Sequence, residues 1–118
     1  MAKDDRLSRI VVRAGEGEIL LFDPQDVFYF EARDDDTVVR TSRRTLYRTP
    51  QRLRTLAARL PVPLFFRCHE SYVVNLARVR LLKRRGRDWL LGLDPPVNKL
   101  IPVARSRWAE LRRLLGAP

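Results

Sequence analysis

Short apolar segments separated by turn-forming residues follow one another through most of the chain. Ile10–Val12 and Ile19–Phe22 flank Ala14–Glu18, whose two glycines permit the positive φ angles of a tight turn. After a further break, Val27–Phe30 is a β-branched and aromatic run of strand length. This pattern predicts a β-hairpin followed by a buried strand.

Two stretches have helical spacing instead. At Thr49-Pro50 an N-cap hydroxyl precedes a proline at the first helical position, and leucines follow at helical spacing as far as Pro61. A second helix is predicted over residues 106–115. Its apolar face would consist of Trp108, Leu111 and Leu115.

The other apolar segments are short and bounded by glycine, proline or charged residues, which is typical of strands. They are Val38–Thr41, Thr45–Tyr47, Tyr72–Val74, Val79–Leu82, Trp89–Leu93 and Leu100–Val103. A chain of 118 residues is the size of one domain. The sequence therefore predicts one mainly β domain with a short middle helix and a C-terminal helix.

The charge of the chain indicates a polyanionic partner. Its 24 Lys and Arg residues against 14 Asp and Glu residues give a net charge of +10. Residues 1–59 carry 12 basic and 10 acidic residues, whereas residues 60–118 carry 12 and 4. We therefore expect the positively charged face in the second half, where Lys83–Arg87 resembles a basic hairpin tip. Charge alone does not separate DNA from RNA or an anionic membrane.

Several other classes lack support in the sequence. Cys68 is the single cysteine, so no internal disulfide is possible, and no leader-like segment opens the chain. This predicts a cytoplasmic protein, and apolar runs far shorter than about 20 residues predict no membrane insertion. With no metal-ligand spacing, nucleophile motif or phosphate loop, we expect no cofactor, no metal and no enzymatic activity. Asp34–Asp36 is interpreted as a loop, because consecutive carboxylates of an extended strand alternate sides.

The segment Phe65–Asn75, read as FFRCHESYVVN, resembles the signature of the LytTR family of bacterial DNA-binding domains. An aromatic residue, Arg, His, Ser, an aromatic residue and Val-Asn stand in the family's order. Asp26–Ala32 and Ile101–Arg105 resemble further family segments. The resemblance covers residues 9–115, after an N-terminal tail of residues 1–8.

This resemblance implies both fold and function. The family fold is an elongated arrangement of antiparallel sheets with a short helix, and its members regulate transcription at paired direct repeats in double-stranded DNA. Two copies per site are expected, since one small module contacts little DNA. Three loops would enter successive major grooves, and they correspond to Arg33–Thr37, His69 with Glu70, and Arg105.

Nine residues are candidates for contact with DNA. Arg105 is expected to read guanine with two donors, the alternative being a surface arginine that caps the neighbouring helix. Lys99 and Arg107 suit phosphate, and Arg67 could contact phosphate or hold the loop by hydrogen bonds to backbone. His69 could donate to phosphate or serve a structural role. For Asn75, turn chemistry favours a structural role over phosphate contact. The full set is Arg33, Thr37, Arg67, His69, Glu70, Asn75, Lys99, Arg105 and Arg107.

Some positions depart from the family pattern. Glu70 and Asp34–Asp36 place carboxylates in two of the expected DNA-contacting loops, and Ala104 stands where the family usually has serine. The bound DNA sequence is therefore expected to differ from the family's common one. Cys68, between Arg67 and His69, is expected to be a buried apolar side chain, with a redox-sensitive thiol as the alternative.

The sequence is also compatible with two other functions, RNA binding and protein interaction. A basic RNA-binding module would use the same charge and would prefer single-stranded RNA. A protein-interaction module would keep the fold without a sequence preference. No receiver domain precedes the resemblance in this sequence. Either the sequence is a piece of a longer regulator, or it is a stand-alone regulator controlled by its expression level, a small signal or a regulatory protein partner.

Overall fold

The computed structural model describes residues 9–118, and in this part the chain is mainly β, as predicted. Two helices accompany ten strands: α1 is Leu53–Ala57 and α2 is Arg105–Leu115. The strands of the first half are β1 Ile10–Ala14, β2 Glu18–Phe22, β3 Val27–Arg33, β4 Asp36–Thr41 and β5 Leu46–Thr49. Those of the second half are β6 Phe65–His69, β7 Tyr72–Asn75, β8 Val79–Arg85, β9 Asp88–Leu93 and β10 Leu100–Val103.

The strands form three antiparallel sheets. The hairpin β1–β2 is the first, the order β5-β4-β3-β7-β6 makes the central sheet, and the order β10-β9-β8 makes the third. The predicted turns lie between the predicted strands, with Gly15 and Gly17 at positive φ in the first hairpin. The basic segment Lys83–Arg87 forms the tip of the β8–β9 hairpin, as expected.

The central sheet has a hydrophobic core on each face. Val27 and Phe30 pack with the β1–β2 hairpin and α1 on one side. Phe28 and Tyr29 pack with the third sheet and α2 on the other side. A strand buried on both faces needs apolar side chains at successive positions rather than at alternate ones, which explains the continuous run in β3.

Helix α2 closes the second core. It begins one residue earlier than predicted, and Leu111 is fully buried while Trp108 and Leu115 pack partly buried beside it. The indole ring of Trp108 stacks on that of Trp89, with centroids 4.3 Å apart and planes within 10°. The helix and strand β9 are thereby held together close to their N-terminal ends.

The predicted start of the first helix was wrong. Thr49 is the last residue of β5, and its hydroxyl accepts a hydrogen bond of 3.1 Å from the backbone N–H of Gln51, which turns the chain. Helix α1 begins at Leu53, and its N-cap Arg52 makes no side-chain capping bond. A threonine before proline is equally suited to a turn that ends a strand. Neither described helix is long and apolar enough to cross a membrane.

Candidate nucleic-acid interface

The family-like turn between β6 and β7 lies against the beginning of α2. The backbone N–H of Ala104 donates to the carbonyl of Cys68 at 2.8 Å, which joins the two segments. An open groove of about 360 Å³ runs between them. Its lining residues are Arg67, His69, Glu70, Ala104, Ser106 and Arg107.

Hydrogen bonds inside the β6–β7 turn fix its shape. Arg67 Nη2 donates to the backbone carbonyl of Glu70 at 2.6 Å, while its Nε is buried without a partner among residues 9–118. The backbone N–H of Ser71 donates to His69 Nδ1 at 3.0 Å. Because a backbone amide always donates, Nδ1 must be the unprotonated ring nitrogen, and neutral His69 carries its proton on Nε2. That N–H remains available as a donor.

Tyr72 links this turn to the β3–β4 hairpin. Its hydroxyl donates to Glu31 at 3.1 Å, and Glu31 also pairs with Arg33 at 3.3 Å. Burial, with Glu31 adding to it, raises the pKa of Tyr72 to about 12. The ammonium of Lys99 lies 6.0 Å from the centre of the Tyr72 ring and 5.8 Å from that of Tyr29, in cation–π geometry. Lys99 is therefore half-buried against aromatic rings rather than fully extended into solvent.

Arg105 occupies the first position of α2, beside the groove. Its Nε donates to Asp88 Oδ1 at 2.9 Å, and its side chain is 71% exposed. It borders a small cavity of about 120 Å³ together with Arg87, Trp89, Val103 and Trp108. Arg105 is a surface arginine, as the alternative had it, but α2 has no side-chain capping bond at its N-terminus, and Arg105 pairs with Asp88 at the start of β9.

Two predicted contact residues are buried and cannot reach DNA with their side chains. Thr37 is 0% exposed, and its hydroxyl donates to the carbonyl of Gln51 at 2.7 Å. Asn75 is also 0% exposed, and both its Nδ2 and its Oδ1 are hydrogen-bonded to backbone groups, so the structural role that turn chemistry favoured is correct. Both side chains satisfy backbone groups inside the protein, as buried polar groups generally do.

The acidic run of the first loop is largely paired with arginines. Asp34, at a φ of 54°, and Asp35 form the two-residue turn of the β3–β4 hairpin. Arg48 pairs with Asp36 at 3.1 Å, and Arg52 approaches Asp35 at 3.9 Å. Among residues 9–118 no group of three His, Cys, Asp or Glu side chains is arranged to hold a metal.

Sequence reasoning missed Asp88, Tyr72 and Ser106 as members of this region. Asp88 directly follows the basic hairpin tip and is the only carboxylate there, which could have marked it. Tyr72 belongs to the family-like segment but is not among the nine candidates. For Ser106 the sequence offers no distinguishing signal.

Cys68 is buried in the second core, as expected for an apolar side chain. Burial raises the pKa of its thiol to about 12, which contradicts the redox-sensitive alternative. We predict that 5,5′-dithiobis(2-nitrobenzoate) at pH 8 labels the native protein at least about a hundredfold more slowly than the urea-unfolded protein, since thiolate is the reactive form. Equal rates in the two states would contradict the buried position.

The sequence and the structure of this chain both match known proteins of one family. Residues 17–116 match the model of the LytTr DNA-binding domain. The structure is similar to the LytTr DNA-binding domain of a Bacillus cereus methyl-accepting/DNA response regulator, with a TM-score of 0.75 and 25% identity. That match covers 94% of this chain and 99% of the other.

Curated relatives agree with this match. The transcriptional regulatory protein YpdB of Escherichia coli K12 is 33% identical over 90 residues, which are 76% of this chain and 36% of YpdB. The CO-responsive transcriptional regulator RcoM of Rhodospirillum rubrum is 36% identical over 106 residues, 89% of this chain and 44% of RcoM. The chain thus spans less than half the length of these relatives. It belongs to the LytTR family of DNA-binding domains.

Proposed function

We propose that this domain binds double-stranded DNA sequence-specifically, at paired direct repeats, and regulates transcription in a bacterial cytoplasm. Its contacts would come from the β3–β4 turn, the β6–β7 turn and the start of α2, each entering a major groove. The observation that carries the proposal is the groove in which the β6–β7 turn and α2 bring Arg67, His69 and Arg107 together.

The groove suits a phosphate of the DNA backbone. Arg67 lines the groove, and its guanidinium has N–H donors beyond the one on Nη2 that bonds to the carbonyl of Glu70. His69 Nε2 adds a neutral donor, and exposed Arg107 adds charge. Phosphate oxygens accept from such groups, and these contacts set the position of a protein on the duplex.

Base edges would be read on either side of that phosphate. Arg105 keeps its two terminal nitrogens for guanine O6 and N7, the commonest specific contact in the major groove. Exposed Glu70 suits cytosine, whose N4 amino group donates. Because Thr37 is buried, Arg33 is the candidate of the first loop for contact with DNA. It lies at the end of β3 and is 43% exposed.

The test is selection of random duplexes by the purified domain, followed by titration of the winning duplex and a scrambled one. We expect a repeated motif, two domains per winning duplex, and at least about tenfold preference over the scrambled control. An equal or tighter affinity for single-stranded RNA would favour the RNA-binding alternative. Equal binding to all duplexes would contradict specific recognition.

The salt dependence of binding provides a separate prediction. If about six phosphates are neutralised, the plot of the logarithm of the association constant against that of the salt concentration has a slope of about −5. The scrambled duplex should give a similar slope, because phosphate contacts carry no sequence information. A slope near zero would contradict an interface dominated by lysine and arginine.

A further inference from the structure

Asp88 is bonded to the arginine that we expect to read a base, although a carboxylate weakens binding to DNA. Oδ1 of Asp88 lies 2.9 Å from Nε of Arg105, and the two side chains are 58% and 71% exposed. An ion pair exposed to this degree adds little to stability. Its position beside the basic β8–β9 tip also places a negative charge where phosphates would approach.

The two residues stand on a rigid support. Asp88 begins β9 and Arg105 begins α2, while the adjoining Trp89 and Trp108 stack on each other at 4.3 Å. The backbone positions of the carboxylate and of the arginine are therefore fixed relative to one another. A hydrogen bond between side chains on such a support restricts the rotamers of the guanidinium.

The bond engages one donor and leaves others. A guanidinium has five N–H donors in a planar fork, and Nε supplies one of them. This bond does not use the N–H groups on the end-on edge of the guanidinium, one on each terminal nitrogen, and they remain available for a base edge. An arginine without this restraint could equally turn to a neighbouring phosphate, which every duplex offers.

We propose that Asp88 is a specificity-determining positioning residue, which orients Arg105 for a base edge and reduces its use as a phosphate ligand. This inference rests on the proposed function. It requires two opposite effects when the carboxylate is neutralised. Binding to a scrambled duplex strengthens because a repulsive charge is gone, whereas the preference for the selected duplex weakens because Arg105 is no longer held.

The variant is Asp88→Asn, titrated against the selected duplex and its scrambled control. We expect the affinity for the scrambled duplex to rise about two- to fivefold and the preference for the selected duplex to fall about tenfold. The lost preference should be confined to the base pair that Arg105→Ala also affects. An unchanged melting temperature would show that the fold is intact.

Glu110→Gln is the matched control. Glu110 is likewise an exposed carboxylate bonded to an arginine of α2, with 2.7 Å between its Oε2 and Arg113 Nη2. Its neutralisation changes the net charge equally, so it should raise affinity for both duplexes and leave their ratio unchanged. This control separates positioning from bulk electrostatics.

The double variant Asp88→Asn with Arg105→Ala completes a double-mutant cycle with the two single variants. Without Arg105, Asp88→Asn should have no further effect on preference, because the side chain that Asp88 orients is absent. A preference equal to wild type in Asp88→Asn, or an equal loss with and without Arg105, would overturn the positioning role while leaving the proposed function standing. A wild-type domain without any duplex preference would instead overturn the proposed function, and the positioning role with it.

Discussion

Replacement of Asn75 by alanine is expected to lower the free energy of unfolding by about 3–5 kcal/mol and to leave no specific effect on DNA contact. The amide is fully buried, and its Nδ2 donates to the carbonyls of Pro24 and Val27 at 3.1 and 2.9 Å. Its Oδ1 accepts from the N–H of Ala77 at 2.9 Å. Alanine would leave three backbone groups without partners, each at a cost of about 1–3 kcal/mol.

Urea denaturation measures this loss, and Gln25→Ala is its control. Gln25 is exposed in the 3-10 turn Pro24–Asp26, and its hydrogen bonds to Asp23 and Arg78 use backbone atoms that alanine retains. Its truncation should change stability by less than about 0.5 kcal/mol. If Asn75→Ala kept wild-type stability and instead lost DNA affinity, the structural role would be wrong.

Strand locations were largely predictable because local chemistry decides them. Glycine turns and short β-branched runs predicted the hairpins, and the run Val27–Phe30 predicted a buried strand. Its burial on both faces, however, depends on which sheets pack against it, and this is tertiary information. Thr49-Pro50 failed as a helix signal because the same hydroxyl bond to the backbone serves a turn.

Predictions about the site divided in a similar way. The family resemblance pointed to the β6–β7 turn and Arg105, and Cys68 is buried as expected, whereas its redox-sensitive alternative rested on adjacency in sequence. Arg67 and His69 flank the thiol in sequence, yet they line the groove while Cys68 packs in the core. Neighbouring residues of a strand point to opposite faces, so charges adjacent in sequence need not act on each other.

The bond between Asp88 and Arg105 could not be predicted at all. It joins residues 17 positions apart through the arrangement of β9, β10 and α2. No periodicity or composition reports which carboxylate meets which guanidinium. Which side chains form such a pair depends on the three-dimensional structure. The pair Asp88–Arg105 is also where we propose that the specificity of this chain is determined.

Arg105→Ala is expected to weaken binding to the selected duplex by about 5- to 150-fold, corresponding to about 1–3 kcal/mol for a bidentate contact with guanine. Binding to the scrambled duplex should fall only a fewfold, because a single charge is lost there. The discrimination should disappear at one base pair, which a titration of single-base-pair variants of the duplex identifies.

Arg105→Lys and Arg113→Ala isolate the cause. Lysine keeps the charge but lacks the planar fork, so it should preserve affinity for the scrambled duplex while losing discrimination at the same base pair. Arg113 lies in the same helix, is 67% exposed and is also bonded to a carboxylate. Its loss should reduce binding to both duplexes equally and weakly. If Arg105→Lys discriminates as wild type does, the contact is with phosphate and the base must be read by another side chain, of which exposed Glu70 is the next to replace.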